Sequence, residues 1–283
     1  MAGADHPWRT LDPRGNELAL RIGSALVLAP LAIGTAYLGR WPFAVVWGVA
    51  AIGVFWEWTS LVTGADRRSA LVAGSASLAS ALVLAVTGFF LAAVIVLAIS
   101  TLAAAALAPA DRRTWVAGGI PYAGALGIAP IVLRADGEAG FLAVIFLFAV
   151  VWTTDIVAYF VGRAAGGPKL LPQVSPNKTW SGALAGTLAA ATVALIVAKV
   201  AVLSGLLAIA ILAVVLSVLA QVGDLFESFL KRKFGAKDSS HLIPGHGGLM
   251  DRLDGFVTAS VAAALIGLAR GGFAAPGRGL LVW

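Results

Sequence analysis

The chain has 283 residues, of which 60% are hydrophobic and only 12% charged, with a mean hydropathy of +0.93. That excludes an ordinary soluble domain, where about 25% of residues carry charge. The net charge of +6 fits basic loops held against anionic headgroups better than nucleic-acid binding, and the lack of cysteine excludes disulfides and thiolate metal sites.

The apolar residues fall in runs of about 20, long enough to cross a hydrocarbon core of ~30 Å as helix. The fold class expected is all-α, a polytopic helical membrane protein of about nine spans. These lie near 18–39, 42–63, 70–88, 89–109, 115–134, 139–162, 180–199, 201–230 and 253–270. The third and fourth form one apolar stretch, divided at Gly88 because it is twice the length of a crossing. The first 17 residues are polar and no small-residue cleavage site follows, so the first span is expected to be retained. With nine spans, fifteen Lys and Arg fall on the side of the N-terminus and five on the other. The positive-inside rule then places the N-terminus in the cytoplasm and the C-terminus outside. Tryptophans near span ends, including Trp41, Trp47, Trp56, Trp58, Trp115, Trp152 and Trp180, are expected in the interfacial belt. Gly182 and Gly186 are spaced for close helix packing, within or between subunits.

Two carboxylates stand inside apolar runs: Asp155 in the sixth span and Asp224 in the eighth. A charge there costs roughly 2.5–3.5 kcal/mol on insertion scales, so each needs a partner or a role. Asp251 and Asp254 open the ninth span on one helix face. Asp224, Ser228 and Lys231 share a face of the eighth. Three helices thus bring acids to one depth. Either each acid pairs with a nearby Lys or Arg, or the group holds a cation, for which oxygen ligands favour Mg²⁺. Glu57 is expected to be an interfacial or helix-pairing acid, and Glu227 to pair with Lys231. The segment 228–254 is the longest polar run. Its Gly245-His246-Gly247-Gly248 is either a turn or an anion-binding loop ahead of a helix N-terminus. A second polar loop, 163–179, carries Ser175 and Lys178; Ser175 could cap the following helix. No Walker-type loop is present.

From Ser228 to Asp254 the sequence resembles the phosphatidate cytidylyltransferases, or CDP-diacylglycerol synthases. The pattern holds at Ser228, Lys231, Arg232, Lys237, Asp238, His246, Gly247, Gly248, Asp251, Arg252 and Asp254. The similarity extends back through Asp155–Arg163 and Ser175–Trp180, covering roughly 139–270. One departure is Ser181, where many members have Glu; it is left out of the site. The resemblance implies that CTP and phosphatidate give CDP-diacylglycerol and pyrophosphate with Mg²⁺, and a second, monovalent or divalent, cation is a further expectation. It also implies a homodimer in the inner membrane with a cavity facing the cytoplasm and no nucleic-acid partner. Asp224, Asp251 and Lys231 are the expected catalytic residues, and Asp224, Asp251 and Asp254 the metal ligands. Ser175, Lys178, Ser228, Arg232, Lys237, Asp238, His246, Gly247, Gly248 and Arg252 would bind substrate. Residues 1–138 would form a scaffold of five spans, contributing to the dimer and lipid cavity, and 139–283 a catalytic region of four. Two other readings stay open at this point: a transporter using its intramembrane acids, and a related enzyme with another lipid acceptor.

Overall fold

The computed structural model describes residues 13–63, 68–240, 242 and 247–283, with backbone only at 13–22, 24 and 25. Among the described residues ten helices are present: α1 (Pro13–Leu38), α2 (Arg40–Thr63), α3 (Arg68–Val86), α4 (Phe90–Leu107), α5 (Arg113–Arg134), α6 (Gly137–Ala165), α7 (Trp180–Val200), α8 (Leu206–Lys233), α9 (Met250–Gly271) and α10 (Pro276–Leu281). Eight of them, α2 to α9, are long and apolar enough to cross a membrane. The first expected span coincides with α1, whose fully described apolar part is Leu26–Leu38. The chain is a multi-pass, helical membrane protein.

Helix α5 lies at the centre, buried along most of its length from Ala117 to Leu133, and packs against α2, α3, α4, α6 and α9. Helix α4 buries only Phe90, Ala93 and Leu97, leaving Leu91, Val94, Ile95, Ile99 and Leu102 exposed to face lipid. The apolar run 70–109 does break at Gly88. That glycine adopts φ +90, and Phe89 N–H turns back to Leu84 O at 2.8 Å. A residue with a Cβ is strained in that conformation.

Glycines set the closest helix approaches in the second half. A Cβ on Gly182 would lie 2.5 Å from Ala158 O, and one on Gly186 2.7 Å from Thr154 O. The Gly182/Gly186 pair therefore packs α7 on α6 within the chain, as small-residue spacing allows. A Cβ on Gly255 would lie 2.9 Å from Ala220 O, so α8 and α9 also cross backbone to backbone. Thr258 Oγ1 donates to Leu219 O at 2.7 Å across this crossing.

Three expectations are corrected. Trp47 and Trp58 are 4% and 3% exposed and belong to the core, not the interface. Trp47 stacks on Phe256 at 4.7 Å, and Trp58 Nε1 donates to Trp115 O at 2.7 Å. The loop after α6 folds into a short antiparallel hairpin, β1 (Lys169–Leu171) and β2 (Ser175–Thr179). The cap of α7 is accordingly Thr179, whose hydroxyl accepts from Gly182 N–H at 3.2 Å, while Ser175 begins a strand.

Candidate active site

One end of the bundle gathers the end of α2, the start of α5, β2, the end of α8 and the start of α9. Helix α8 is amphipathic: Ile209, Leu212, Ala213, Leu216, Ala220, Gly223, Glu227 and Leu230 make its buried stripe, with the spacing of a helix face. Asp224, Glu227 and Lys231 follow in the last two turns of the helix. Gly223 allows the backbone of α9 to come close, since its Cβ would lie 2.6 Å from Asp254 O.

Lys231 is the hinge of a sealed charge triad. Its Nζ lies 2.5 Å from Asp251 Oδ1 and 2.7 Å from Glu227 Oε2. The second oxygen of Asp251 accepts from Ser239 N–H at 3.1 Å, Ser239 Oγ at 2.9 Å and Gly248 N–H at 2.8 Å. The carboxylate is therefore fully engaged. Asp224 is different. It pairs with Lys178 of β2, and both side chains remain partly open. Asp155 of α6 lies within electrostatic reach of Asp224, Lys178 and Arg252, and Asp254 within reach of Asp224, Glu227 and Asp155. Among the described residues Asp254 accepts only from its neighbour Gly255, at 2.7 Å.

Sequence reasoning missed Glu57. It is neither interfacial nor merely helix-pairing but 0% exposed. Its carboxylate accepts from Leu249 N–H at 2.8 Å and Met250 N–H at 2.6 Å, the orphan donors that open α9. It also accepts from Ser240 Oγ at 2.5 Å and Ser239 Oγ at 3.1 Å. A carboxylate at a helix N-terminus is favoured by the dipole as well as by these bonds. A Cβ on Gly248 would lie 2.7 Å from Glu57 Oε1 and 3.0 Å from Asp251 Oδ2, so that position needs glycine. The signal was available: Glu57 is an acid inside an apolar run, as Asp155 and Asp224 are. Tyr122 of α5 was also missed. It packs on Trp58 at 5.0 Å and Phe226 at 6.0 Å, within electrostatic reach of Asp254, Glu227, Asp224 and Asp251. Its hydroxyl is sealed and has no hydrogen-bond partner among the described residues.

Of the expected site residues, the structure brings together Asp224, Lys178, Lys231, Asp251, Asp254, Gly247 and Gly248. A Cβ on Gly247 would lie 3.1 Å from Asp251 Oδ2. Arg252 adjoins this group, and Ser228 lies half-buried between Asp224 and Lys231 on α8. Arg232 instead turns to Ala236 O of its own helix end, at 3.2 Å. Lys237 and Asp238 point into solvent, and Ser175 sits at the far end of β2. His246 lies outside the described residues. Among the described residues no three acids or histidines stand close enough to hold a metal ion. The donor chemistry nevertheless suits a hard cation: every candidate ligand is a carboxylate oxygen, and two ammonium groups already occupy Asp224 and Asp251.

The structure is thus of the class of polytopic helical membrane proteins, with lysines, carboxylates and a glycine-bounded helix start gathered at one end of the bundle. The profile of the cytidylyltransferase family matches residues 19–269. The chain is 41% identical over 262 residues to a phosphatidate cytidylyltransferase of Brucella melitensis, covering 89% of this chain and 94% of the relative. It is 36% identical over 137 residues to the Rickettsia typhi protein of that name, covering 46% of this chain and 60% of the relative. The corresponding Staphylococcus saprophyticus protein is 41% identical over 133 residues, covering 47% and 51%. The chain belongs to the cytidylyltransferase family and is a nucleotidyltransferase.

Proposed function

We propose that the chain transfers the cytidylyl group of CTP to phosphatidate, forming CDP-diacylglycerol and pyrophosphate at the cytoplasmic face of the inner membrane. The observation that carries this reading is the meeting of Lys178 with Asp224, and of Lys231 with Asp251, at one end of the bundle. An oxygen of the lipid phosphate attacks the α-phosphorus of CTP, and the bond from that phosphorus to the β-phosphate bridging oxygen breaks. The nucleophile is already anionic near neutral pH, so no strong general base is required. The protein's task is therefore positioning and charge neutralisation. Lys178 and Arg252, at the open side, would hold phosphate oxygens. Lys231 would be held in place by Glu227 and Asp251. The N–H groups of Gly248, Leu249 and Met250 are already taken by Asp251 and Glu57, so the start of α9 is held by its own carboxylates and would position Asp251 rather than bind the anion. Mg²⁺, when bound, supplies further neutralisation of the triphosphate, and Asp224, Asp251 and Asp254 are the residues that would hold it.

The excess of Lys and Arg at this end supports a cytoplasmic site, with the C-terminus outside. A homodimer is part of the same proposal. The clustering of acids at one end, away from the midplane, favours an enzyme over a transporter. The test is purified protein in detergent with labelled CTP and phosphatidate. Labelled CDP-diacylglycerol should form with Mg²⁺ and not with chelator, and other nucleoside triphosphates should compete weakly. Product formed only with a polyprenyl phosphate, or none with either acceptor, would overturn the assignment of the lipid.

A further inference from the structure

The opposite end of the bundle holds a second polar feature. The turns between α1 and α2, α3 and α4, and α5 and α6 enclose a cavity of about 640 Å³, lined by Arg40 and Arg134 together with Phe43, Phe90, Ile131 and Phe273. It shares Gly88, Phe90 and Phe273 with a neighbouring groove of about 520 Å³ running along Phe89, Leu91 and Ile95. The groove lies on α4, the helix most exposed to lipid. Arg40 opens α2 and Glu57 lies further along the same helix, roughly 25 Å away at about 1.5 Å rise per residue. The cavity is thus a bilayer core away from the phosphate-handling end.

Among the described residues no acidic side chain lines the cavity. Arg134 places three of its five donors on backbone carbonyls: Nε on Ala36 O at 2.5 Å, Nη1 on Gly137 O at 2.8 Å and Nη2 on Tyr37 O at 3.1 Å. Those bonds fix the guanidinium without cancelling its charge. Arg40 has no hydrogen bond or ion pair among the described residues. Asp136, which stands in sequence between the lining residues Ala135 and Gly137, is turned onto Arg278, accepting from its N–H at 2.8 Å. Glu138, in the first turn of α6, is not part of the lining.

The backbone is strained to make this arrangement. Gly39 and Arg40 take φ +66 and +42 in succession, and a left-handed conformation costs a non-glycine residue roughly 1–2 kcal/mol. Such strain marks places where something is gained elsewhere. A Cβ on Gly39 would lie 2.7 Å from Arg134 Nη2, so glycine admits the second cation beside the first.

We propose that this cavity and groove bind one anionic phospholipid of the leaflet opposite the active site. Its phosphate sits at Arg40 and Arg134, and an acyl chain lies along Phe89, Leu91 and Ile95. The match is one of chemistry on both sides: two cations without acids, opening into a wholly apolar channel facing lipid. The proposal does not depend on the reaction assigned above.

The experiment is native mass spectrometry of the full chain in mixed micelles with phosphatidylglycerol or phosphatidylcholine of the same acyl chains. The wild type should retain one phosphatidylglycerol per chain, severalfold in preference to phosphatidylcholine. Excess glycerol phosphate should not displace it. Arg40→Gln should weaken retention about fivefold, the share expected of one cation near a lipid headgroup. Ala92→Phe, which narrows the groove without touching charge, should weaken retention of the lipid as well and carries the test if Arg40→Gln does not fold. Lys178→Ala, at the other end, should leave retention unchanged. Equal retention of the two lipids overturns the proposal. So does full retention by Arg40→Gln or, where that variant does not fold, by Ala92→Phe, and so does loss that follows only Lys178→Ala.

Discussion

Two lysine–carboxylate pairs lie in the same end of the bundle and live in different surroundings. In the pair Lys178–Asp224 the side chains are 26% and 33% exposed. In the pair Lys231–Asp251 they are 12% and 10% exposed, and the third member, Glu227, is 1% exposed. The open pair joins a hairpin to a helix and has a single contact. The sealed pair joins two helices, and its Asp251 is saturated by Ser239, Gly248 and Lys231. A charge that must meet a substrate needs room to exchange partners; a charge that fixes a scaffold does not. On the proposed reaction, the open pair would serve turnover and the sealed pair turnover and stability together.

The comparison breaks most visibly at Asp224. Asp224→Asn should lower cytidylyl transfer on the order of 10²–10³-fold, the range for losing one electrostatic contact to a reacting centre. Its unfolding midpoint in detergent should stay close to wild type. A loss of stability as large as that of a sealed-pair variant would erase the distinction. Lys231→Met is the counterpart. It leaves Glu227 and Asp251 facing each other without a cation, and breaking a buried pair from one side costs about 3–5 kcal/mol. Lys231→Met with Glu227→Gln should recover much of that stability while activity stays low. Recovery of neither would mean that packing, not charge, holds this corner.

Much of this contrast was hidden in the sequence. Spacing alone placed Asp155, Asp224, Asp251 and Asp254 at one depth and Lys231 on the face of Asp224, because a helix repeats every 3.6 residues and a span has a fixed length. The break at Gly88 was legible for the same reason. Which lysine meets which acid was not legible, because Lys178 reaches Asp224 through a hairpin that no periodicity announces. Glu57 was misjudged because its donors, the N–H groups of Leu249 and Met250, lie about 190 residues away and belong to the backbone. Trp47 and Trp58 were misplaced because tryptophan serves both the interface and the core, where Trp58 gives its N–H to Trp115 O and Trp47 is held by stacking on Phe256.

Glu57 sharpens the comparison from the other half of the chain. It belongs to the sealed side although it comes from α2. Glu57→Gln keeps the shape but replaces two acceptor oxygens with one, leaving backbone donors of α9 and Ser240 short of partners. The expected cost is about 1–3 kcal/mol, with kcat lowered more than KM for CTP because the start of α9 loosens. A wild-type melting curve for this variant would separate Glu57 from the scaffold.

The smallest effect is expected where polar contacts are numerous but carry no charge. Midway along the spans, Thr154 Oγ1 donates to Ser217 Oγ at 2.8 Å, Ser217 Oγ to Thr187 Oγ1 at 3.2 Å, and Gln221 Nε2 to Thr187 Oγ1 at 3.0 Å. This network ties α6, α7 and α8 together just beyond the acids. Hydrogen bonds between membrane helices average only about 0.6 kcal/mol, because the partners find alternatives within the bilayer. Thr154 also donates to Val150 O on its own helix at 2.8 Å, so valine there removes a hydroxyl without stranding the carbonyl, which keeps its helical bond. Thr154→Val should therefore shift stability by well under 1 kcal/mol and leave turnover within about twofold, a factor worth less than RT at the barrier. If Thr154→Val instead cost as much as Lys231→Met, stability would be set by the helix crossing at Gly182 and Gly186, and the sealed charges would be passengers of that packing.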